Sequence, residues 1–236
     1  MRSGATSPSD PDAVGAVTVE ACVTSVAEAL DAVNAGADRL ELCVRLDVGG
    51  LTPPAELVGT VARTVPVPVF VLVRPRAGDF RARSGELETM VASVRDARVA
   101  GAQGVVVGLL DSEEAIDRAG VAGLVAAAGE LPLTFHRAFD EVVDPLASIE
   151  TLAELGVARV LTAGGPGTAW EGRAMLRRLA RAVAGAVSVV AGGRVRGDHV
   201  RALIAETGVR EVHARAQGIP GVCRALGRSA AAEATS

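Results

Sequence analysis

The amino-acid sequence predicts an α/β protein folded as a single-domain TIM (β/α)8 barrel. Apolar strand-like segments alternate with helical segments eight times within 236 residues. Several helical segments close at a glycine suited to a left-handed C-cap, as at Gly36 and Gly156. Ionisable residues recur where the apolar segments end, which is typical of a barrel with a site at one rim. An open doubly wound sheet is the alternative arrangement of the same units.

The individual elements follow from local patterns. Apolar runs rich in valine and leucine predict strands at 17–21, 39–42, 68–73, 104–107, 133–135, 159–162, 187–191 and 209–212. Helices are predicted at 25–35, 54–63, 86–100, 113–128, 144–155, 169–183 and 198–206, followed by a short one at 221–226. Two helix starts have specific signals, namely Ser25 as the N-cap of the first helix and Asp144-Pro145 at the start of the fifth.

The predicted barrel covers residues 16–226. Residues 1–15 are small, polar and proline-bearing, so we predict a disordered leader, and the Ala- and Ser-rich residues 227–236 predict a flexible tail. No apolar run approaches the roughly 18 residues of a membrane span, and no secretory segment is recognisable. We therefore expect a cytoplasmic protein without a membrane partner.

Composition excludes several classes of function. Hydrophobic residues make up 49% of the chain, the net charge is −4, and all 24 basic residues are arginine. Without lysine the chain cannot form the Schiff base of an aldolase or a pyridoxal-phosphate enzyme, or complete a P-loop. Dispersed arginines and 2% aromatic residues also argue against a nucleic-acid partner. Neither nucleotide, flavin nor pyridoxal phosphate is expected as a cofactor.

Strand periodicity predicts which side chains share a face, because residues two apart on a strand point the same way. The resulting pairs are Glu20 and Cys22, Glu41 and Cys43, Thr134 and His136, and Glu211 and His213. A carboxylate beneath the helices would be buried without a partner, whereas at the upper rim of the barrel it meets water and arginine. We therefore assign these pairs to the barrel interior and its upper rim.

Two cysteines end neighbouring predicted strands. Adjacent strands lie about 4.8 Å apart, so Cys22 and Cys43 can share one ion. Thiolates are soft ligands that favour Cu(I) over Zn(II), which makes Cu(I) a candidate ligand. The alternative is that both cysteines are small core residues.

An arginine pair follows the third predicted strand. Arg74 and Arg76 flank a proline, and two forked cations held in this way suit a carboxylate or a phosphate. The alternative is a rim salt bridge to Asp79.

The fifth strand is followed by a candidate acid/base group. His136 precedes the cation Arg137, and the carboxylate Asp140 lies four residues beyond the histidine. The alternative is a rim histidine with satisfied hydrogen bonds, and His213 at the end of the eighth strand is open to both interpretations.

Seven motifs together resemble the copper homeostasis protein CutC family, from about residue 17 to residue 213. They lie at 20–22, 34–43, 49–53, 74–80, 134–140, 155–162 and 211–213. The resemblance implies a cytoplasmic TIM barrel that forms a homo-oligomer and binds Cu(I) through thiols matching Cys22 and Cys43. Ala163 and Ala214 stand where the family commonly has serine, and the C-terminal segment is shorter.

Two functional hypotheses follow, a copper-handling protein and a barrel enzyme acting on a small anion. In the enzyme, Arg74, Arg76 and Arg137 would bind a carboxylate or phosphate. His136 or Glu41 would move a proton, and Asp140 would orient or balance the cations. The candidate catalytic residues are Glu20, Glu41, His136, Asp140 and His213. Both hypotheses expect five residues that are far apart in the chain to converge on a common cavity at one end of the barrel, namely Glu20, Glu41, Arg74, His136 and His213.

Overall fold

A computed structural model describes residues 17–183 and 185–228. The leader predicted at 1–15 lies outside the described residues, as does the part of the predicted tail from 229 to 236. Among the helices of the described ranges, none combines the length and the apolar character needed to span a bilayer.

Eight parallel strands form a closed barrel in chain order. They are β1 (Thr18–Val23), β2 (Arg39–Leu42), β3 (Val69–Leu72), β4 (Gly104–Val107), β5 (Leu133–Phe135), β6 (Arg159–Thr162), β7 (Ser188–Ala191) and β8 (Glu211–Arg215). The first strand pairs with the last, with Glu20 in register with His213. This closure confirms the single-domain TIM barrel and rules out the open sheet.

Eight α-helices surround the barrel within the described ranges. They are α1 (Val26–Asn34), α2 (Ala55–Thr64), α3 (Glu86–Val99), α4 (Arg118–Ala128), α5 (Pro145–Glu154), α6 (Arg173–Ala182), α7 (Val200–Thr207) and α8 (Ile219–Ala225). Ser25 caps α1 as predicted, since its side chain accepts a hydrogen bond from the Glu28 amide. Gly36 and Gly156, just after α1 and α5, have φ values of 100° and 80°, as the predicted left-handed caps require.

Two helices begin several residues later than predicted. The fourth was predicted from 113, but the Asp111 carboxylate accepts hydrogen bonds from the amides of Glu113 and Ala115 and holds this segment as a turn. Asp117 then caps α4 by accepting from the Gly120 amide. The sixth was predicted from 169 and begins at Arg173. Short polar side chains such as Asp111 that bond to nearby backbone amides compete with helix formation. This competition accounts for the later start of α4.

Alternation along the strands separates two apolar clusters. Residues such as Val19, Leu40 and Val71 pack beneath the helices in the main core. A smaller cluster inside the barrel consists of Cys22, Cys43, Phe70, Leu72 and Val106. Cysteine thus lies on the interior face of β1 and immediately after β2, as strand parity predicted.

A charged layer fills the barrel toward the amino ends of the strands. The Phe70 ring lies between two guanidinium groups, 5.1 Å from Arg39 and 4.5 Å from Arg159. A Cβ on Gly104 would come within 2.5 Å of the Phe70 ring, so glycine makes room for this ring. These side chains fill the interior at the amino ends of the strands. Residues nearer the carboxyl ends therefore line the end of the barrel at which active sites lie in this fold.

Candidate functional site

Two thiols meet inside the barrel. Cys22 Sγ on β1 and Cys43 Sγ just after β2 lie 3.7 Å apart, and both side chains are buried and unoxidised. The contact with Cys43, burial and the nearby charge of Glu41 raise the pKa of the Cys22 thiol well above its usual value. Cys22 is therefore a neutral thiol at physiological pH.

The Glu20 carboxylate on β1 contacts His213 on β8 and the buried cation Arg39 on β2. Its Oε1 atom lies 2.7 Å from His213 Nδ1, and its Oε2 atom accepts a hydrogen bond from Arg39 Nε at 2.5 Å. Burial acts to raise the pKa of this carboxyl, but Arg39 and His213 outweigh it and lower the pKa to about 2. Arg39 also binds Glu211 through Nη2 at 2.6 Å. Glu20 is therefore ionised and paired on both oxygens.

Glu41 lies next to this pair without a full set of partners. Its Oε2 atom is buried and makes no hydrogen bond within the described ranges. Burial raises the pKa of the Glu41 carboxyl, and His213 opposes that rise. Burial lowers the pKa of His213, but the charges of Glu41 and Glu20 outweigh it, so the net shift is upward. A carboxyl group and an imidazole thus share one enclosed environment.

Cys22, Glu41 and His213 each offer a ligand atom, and these atoms all lie within 4.8 Å of one another. Together with Cys43 we call these residues the strand-end cluster. Because Nδ1 of His213 is occupied by Glu20, Nε2 is the ring nitrogen available to another group. Buried thiols, an unpartnered carboxylate oxygen and an oriented imidazole suit a thiophilic metal ion.

His136 occupies a second location, immediately after β5. Its Nδ1 atom accepts a hydrogen bond from the Ala138 amide at 3.0 Å, which caps the 3-10 helix Arg137–Glu141. Burial, followed by the charge of Arg74, lowers the pKa of His136 to about 3. The ring is therefore neutral with its proton on Nε2, and this buried atom has no partner in the part of the chain that the structure describes.

Arg74 lies close to His136 and binds the loops that follow β2 and β3. Its Nη1 atom donates to the carbonyl oxygens of Val48 and Gly50 at 3.0 and 3.1 Å, and Nη2 donates to that of Gly78 at 2.9 Å. The guanidinium lies 4.9 Å from the centre of the Phe80 ring. Its Nε atom is buried without a hydrogen bond within the described ranges.

Arg76, the second member of the arginine pair, binds protein carboxylates. Its Nη2 atom contacts Asp79 at 2.6 Å and its Nε atom contacts Glu86 at 2.8 Å. The salt bridge to Asp79 is the alternative that the sequence offered. The structure thus gives Arg74 and Arg76 different surroundings despite their matching sequence positions.

Asp140 organises the loop after β6. Its Oδ1 atom accepts hydrogen bonds from Thr162 Oγ1 at 2.5 Å, the Ala163 amide at 2.9 Å and the Gly165 amide at 3.2 Å. Its Oδ2 atom binds Arg137 Nε at 2.7 Å. Asp140 and the exposed Arg137 therefore lie in a loop network, and a catalytic or anion-binding role for them stays a prediction.

The structure sorts the ten predicted site residues into three groups. Those at or beside the strand-end cluster are Glu20, Cys22, Glu41, Cys43 and His213. Arg74 and His136 form a second group against Phe80, and Arg76, Arg137 and Asp140 belong to loop networks. Sequence reasoning missed the roles of Arg39 and Phe80. Strand parity could have found Arg39, which is two residues before Glu41 on β2.

Comparison with known proteins connects this geometry to one family. The CutC family model matches residues 17–218. The human copper homeostasis protein cutC homolog is 42% identical over 199 residues, 84% of this chain and 73% of the human protein. A CutC family protein of Histophilus somni is 41% identical over 84% of this chain and 82% of its own length. The crystal structure of the putative copper homeostasis protein CutC from Streptococcus agalactiae superposes with a TM-score of 0.80 at 29% identity, covering 84% of this chain and 97% of that one. The chain belongs to the CutC family.

Proposed function

We propose that this protein serves copper homeostasis by binding Cu(I) through Cys22 and Cys43. The observation that carries the proposal is the 3.7 Å separation of two buried thiols inside the barrel. Thiolates select soft monovalent copper, and the relatives named copper homeostasis proteins support the same cargo.

The surroundings of the thiols suit a bound cation. Binding would displace the thiol protons, which the enclosed site otherwise retains. The unpartnered, buried oxygen of Glu41 is available to a positive ion nearby. Glu20 also fixes the orientation of His213, in the way that a carboxylate orients a metal-binding imidazole.

A second donor set uses the same Cys22 thiol. Cys22, Glu41 and His213 offer one sulfur, one oxygen and one nitrogen atom. Zn(II) is suited better by this mixed set than by two thiolates alone. The two sets differ at Cys43, so substitution of this residue discriminates between the metals.

Competition with a Cu(I) chelator under reducing conditions tests the proposal. Cys22→Ser and Cys43→Ser should each lower Cu(I) affinity by at least tenfold. Cys223→Ser is the matched control, because Cys223 is also a buried free thiol but lies on α8 beside Gly36. Unchanged Cu(I) affinity in both Cys22→Ser and Cys43→Ser would refute the proposal. Zn(II) binding that survives Cys43→Ser but not His213→Asn would assign the cluster to zinc.

A cytoplasmic location and a homo-oligomeric assembly belong to the same proposal. Three unpaired cysteines support a reducing compartment. Size-exclusion chromatography with light scattering tests the assembly, and a monomeric mass would contradict it.

Acid/base catalysis on a small carboxylate- or phosphate-bearing substrate is the second candidate function. It is favoured by the buried position of Glu41 beside His213 and by the raised pKa of its carboxyl, since burial that raises a carboxyl pKa toward neutral pH is typical of acid/base sites. A metabolite screen of wild type against Glu41→Gln tests it. Turnover that is lost in Glu41→Gln supports catalysis, and turnover that is equal in both proteins counts against this site.

A further inference from the structure

Arg74 is a buried cation whose hydrogen bonds all go to uncharged groups. It is 9% exposed, and within the described residues its guanidinium donates only to backbone carbonyl oxygens. By contrast, the buried Arg39 binds two carboxylates, Glu20 and Glu211. Glu141 acts on Arg74 through space but forms no ion pair with it in the described residues. A buried charge without a counter-charge is costly, so the surroundings of Arg74 favour an anion.

A second donor without an acceptor lies beside this cation. His136 is 6% exposed, and its Nδ1 atom is used by the Ala138 amide, so Nε2–H is the free donor. The His136 ring and the Arg74 guanidinium both lie against Phe80, at 5.0 and 4.9 Å from its ring centre. Two buried N–H donors, His136 Nε2 and Arg74 Nε, therefore belong to side chains that both contact Phe80.

We propose that Arg74 and His136 form a binding site for a small oxyanion, the carboxylate or phosphate group of a metabolite, with Phe80 as its cover. Two donors and one fixed positive charge call for a ligand that is negatively charged and only accepts hydrogen bonds. The neutral imidazole can donate its Nε2 proton to such a ligand, while the Arg74 guanidinium supplies the positive charge.

The space beside Phe80 is small. A cleft of about 20 Å³ is lined in part by Arg74, Phe80 and Gly108, and His136 lies behind this lining rather than in it. The carboxylates Asp79 and Glu86 also line the cleft, but both are paired with Arg76. The cleft volume holds about one water molecule, so a carboxylate or phosphate group fits only if the surrounding side chains rearrange. A Cβ on Gly108 would come within 2.0 Å of the His136 ring, so glycine here allows the imidazole to lie against β4 and its loop.

Nitrogen-15 NMR of the histidine side chains tests the site in copper-free protein, with orthophosphate and acetate titrated separately. We expect a saturable shift of the His136 Nε2–H resonance with at least one of the two anions, and the stronger binder identifies the headgroup. Absence of a saturable shift with either anion would overturn the proposal. Because no copper is present, the result does not bear on the thiol site.

Substitutions separate recognition from folding. His136→Asn keeps an acceptor for the Ala138 amide but removes the distal donor, so anion affinity should fall by about tenfold or more while the fold is kept. His136→Gln, which restores a distal donor, should recover part of the affinity. Arg118→Gln removes one exposed arginine on α4 and should bind as wild type does. Wild-type affinity in His136→Asn, or an equal loss in Arg118→Gln, would overturn the assignment.

Discussion

His213 Nδ1 lies 2.7 Å from Glu20 Oε1, although 193 residues separate them in the chain. The contact exists because β8 returns to pair with β1, with the two residues in register. Closing the barrel therefore assembles the strand-end cluster, and Arg39 on the other side of Glu20 supplies the balancing charge.

The first prediction concerns the charge of Arg39. Arg39→Met would leave the buried Glu20 and the partly buried Glu211 without their cation, which should lower the free energy of unfolding by about 3–5 kcal/mol. Arg159→Met is the matched control, since Arg159 stacks on the same Phe70 ring but forms no salt bridge in the described residues. It should change stability by no more than about 1 kcal/mol. Equal losses in urea denaturation would show that packing on Phe70 dominates.

The second prediction concerns pH. The folded-state pKa of His136 is about 3, against 6.5 for an ordinary histidine, so between these values the unfolded chain binds the extra proton. Stability should therefore fall as pH falls through this window, by about 2 kcal/mol between pH 6.5 and 5. Denaturation of wild type and His136→Asn at both pH values isolates this contribution. Parallel pH profiles would contradict the buried neutral imidazole.

The third prediction uses two glycines with different surroundings. Gly108→Ala places a Cβ against the His136 ring and should destabilise the fold by about 1–3 kcal/mol. Gly123→Ala, within α4 and with open space around the new Cβ, should stabilise it by up to about 1 kcal/mol. Thermal unfolding checks both. A neutral Gly108→Ala would mean that the His136 ring moves freely.

Local patterns predicted the strands and the composition of the strand-end cluster. Alternation places Glu20 and Cys22 on one face of β1, and barrel closure then brings His213 to them, so parity and fold class suffice. The surroundings of Arg74 could not be predicted in this way. Its partners are backbone carbonyls of Val48, Gly50 and Gly78, and carbonyl positions in loops have no side-chain signature.

Hydrogen bonds to loop backbone also explain why the late start of α4 and the contacts of Asp140 could not be predicted. The carboxylate of Asp111 bonds to amides in its own loop, which the apolar periodicity of the following residues does not reveal. Asp140 likewise accepts from the amides of Ala163 and Gly165, more than twenty residues away. The chemistry of such loops depends on tertiary contacts rather than on spacing.

Copper K-edge X-ray absorption of the Cu(I)-loaded protein counts the sulfur ligands of the metal, and so shows whether both thiols bind it. We predict two sulfur scatterers in wild type and in Cys223→Ser, and one fewer in Cys22→Ser and in Cys43→Ser. A spectrum with only nitrogen and oxygen ligands, or one that is unchanged by both cluster substitutions, would contradict copper binding between Cys22 and Cys43.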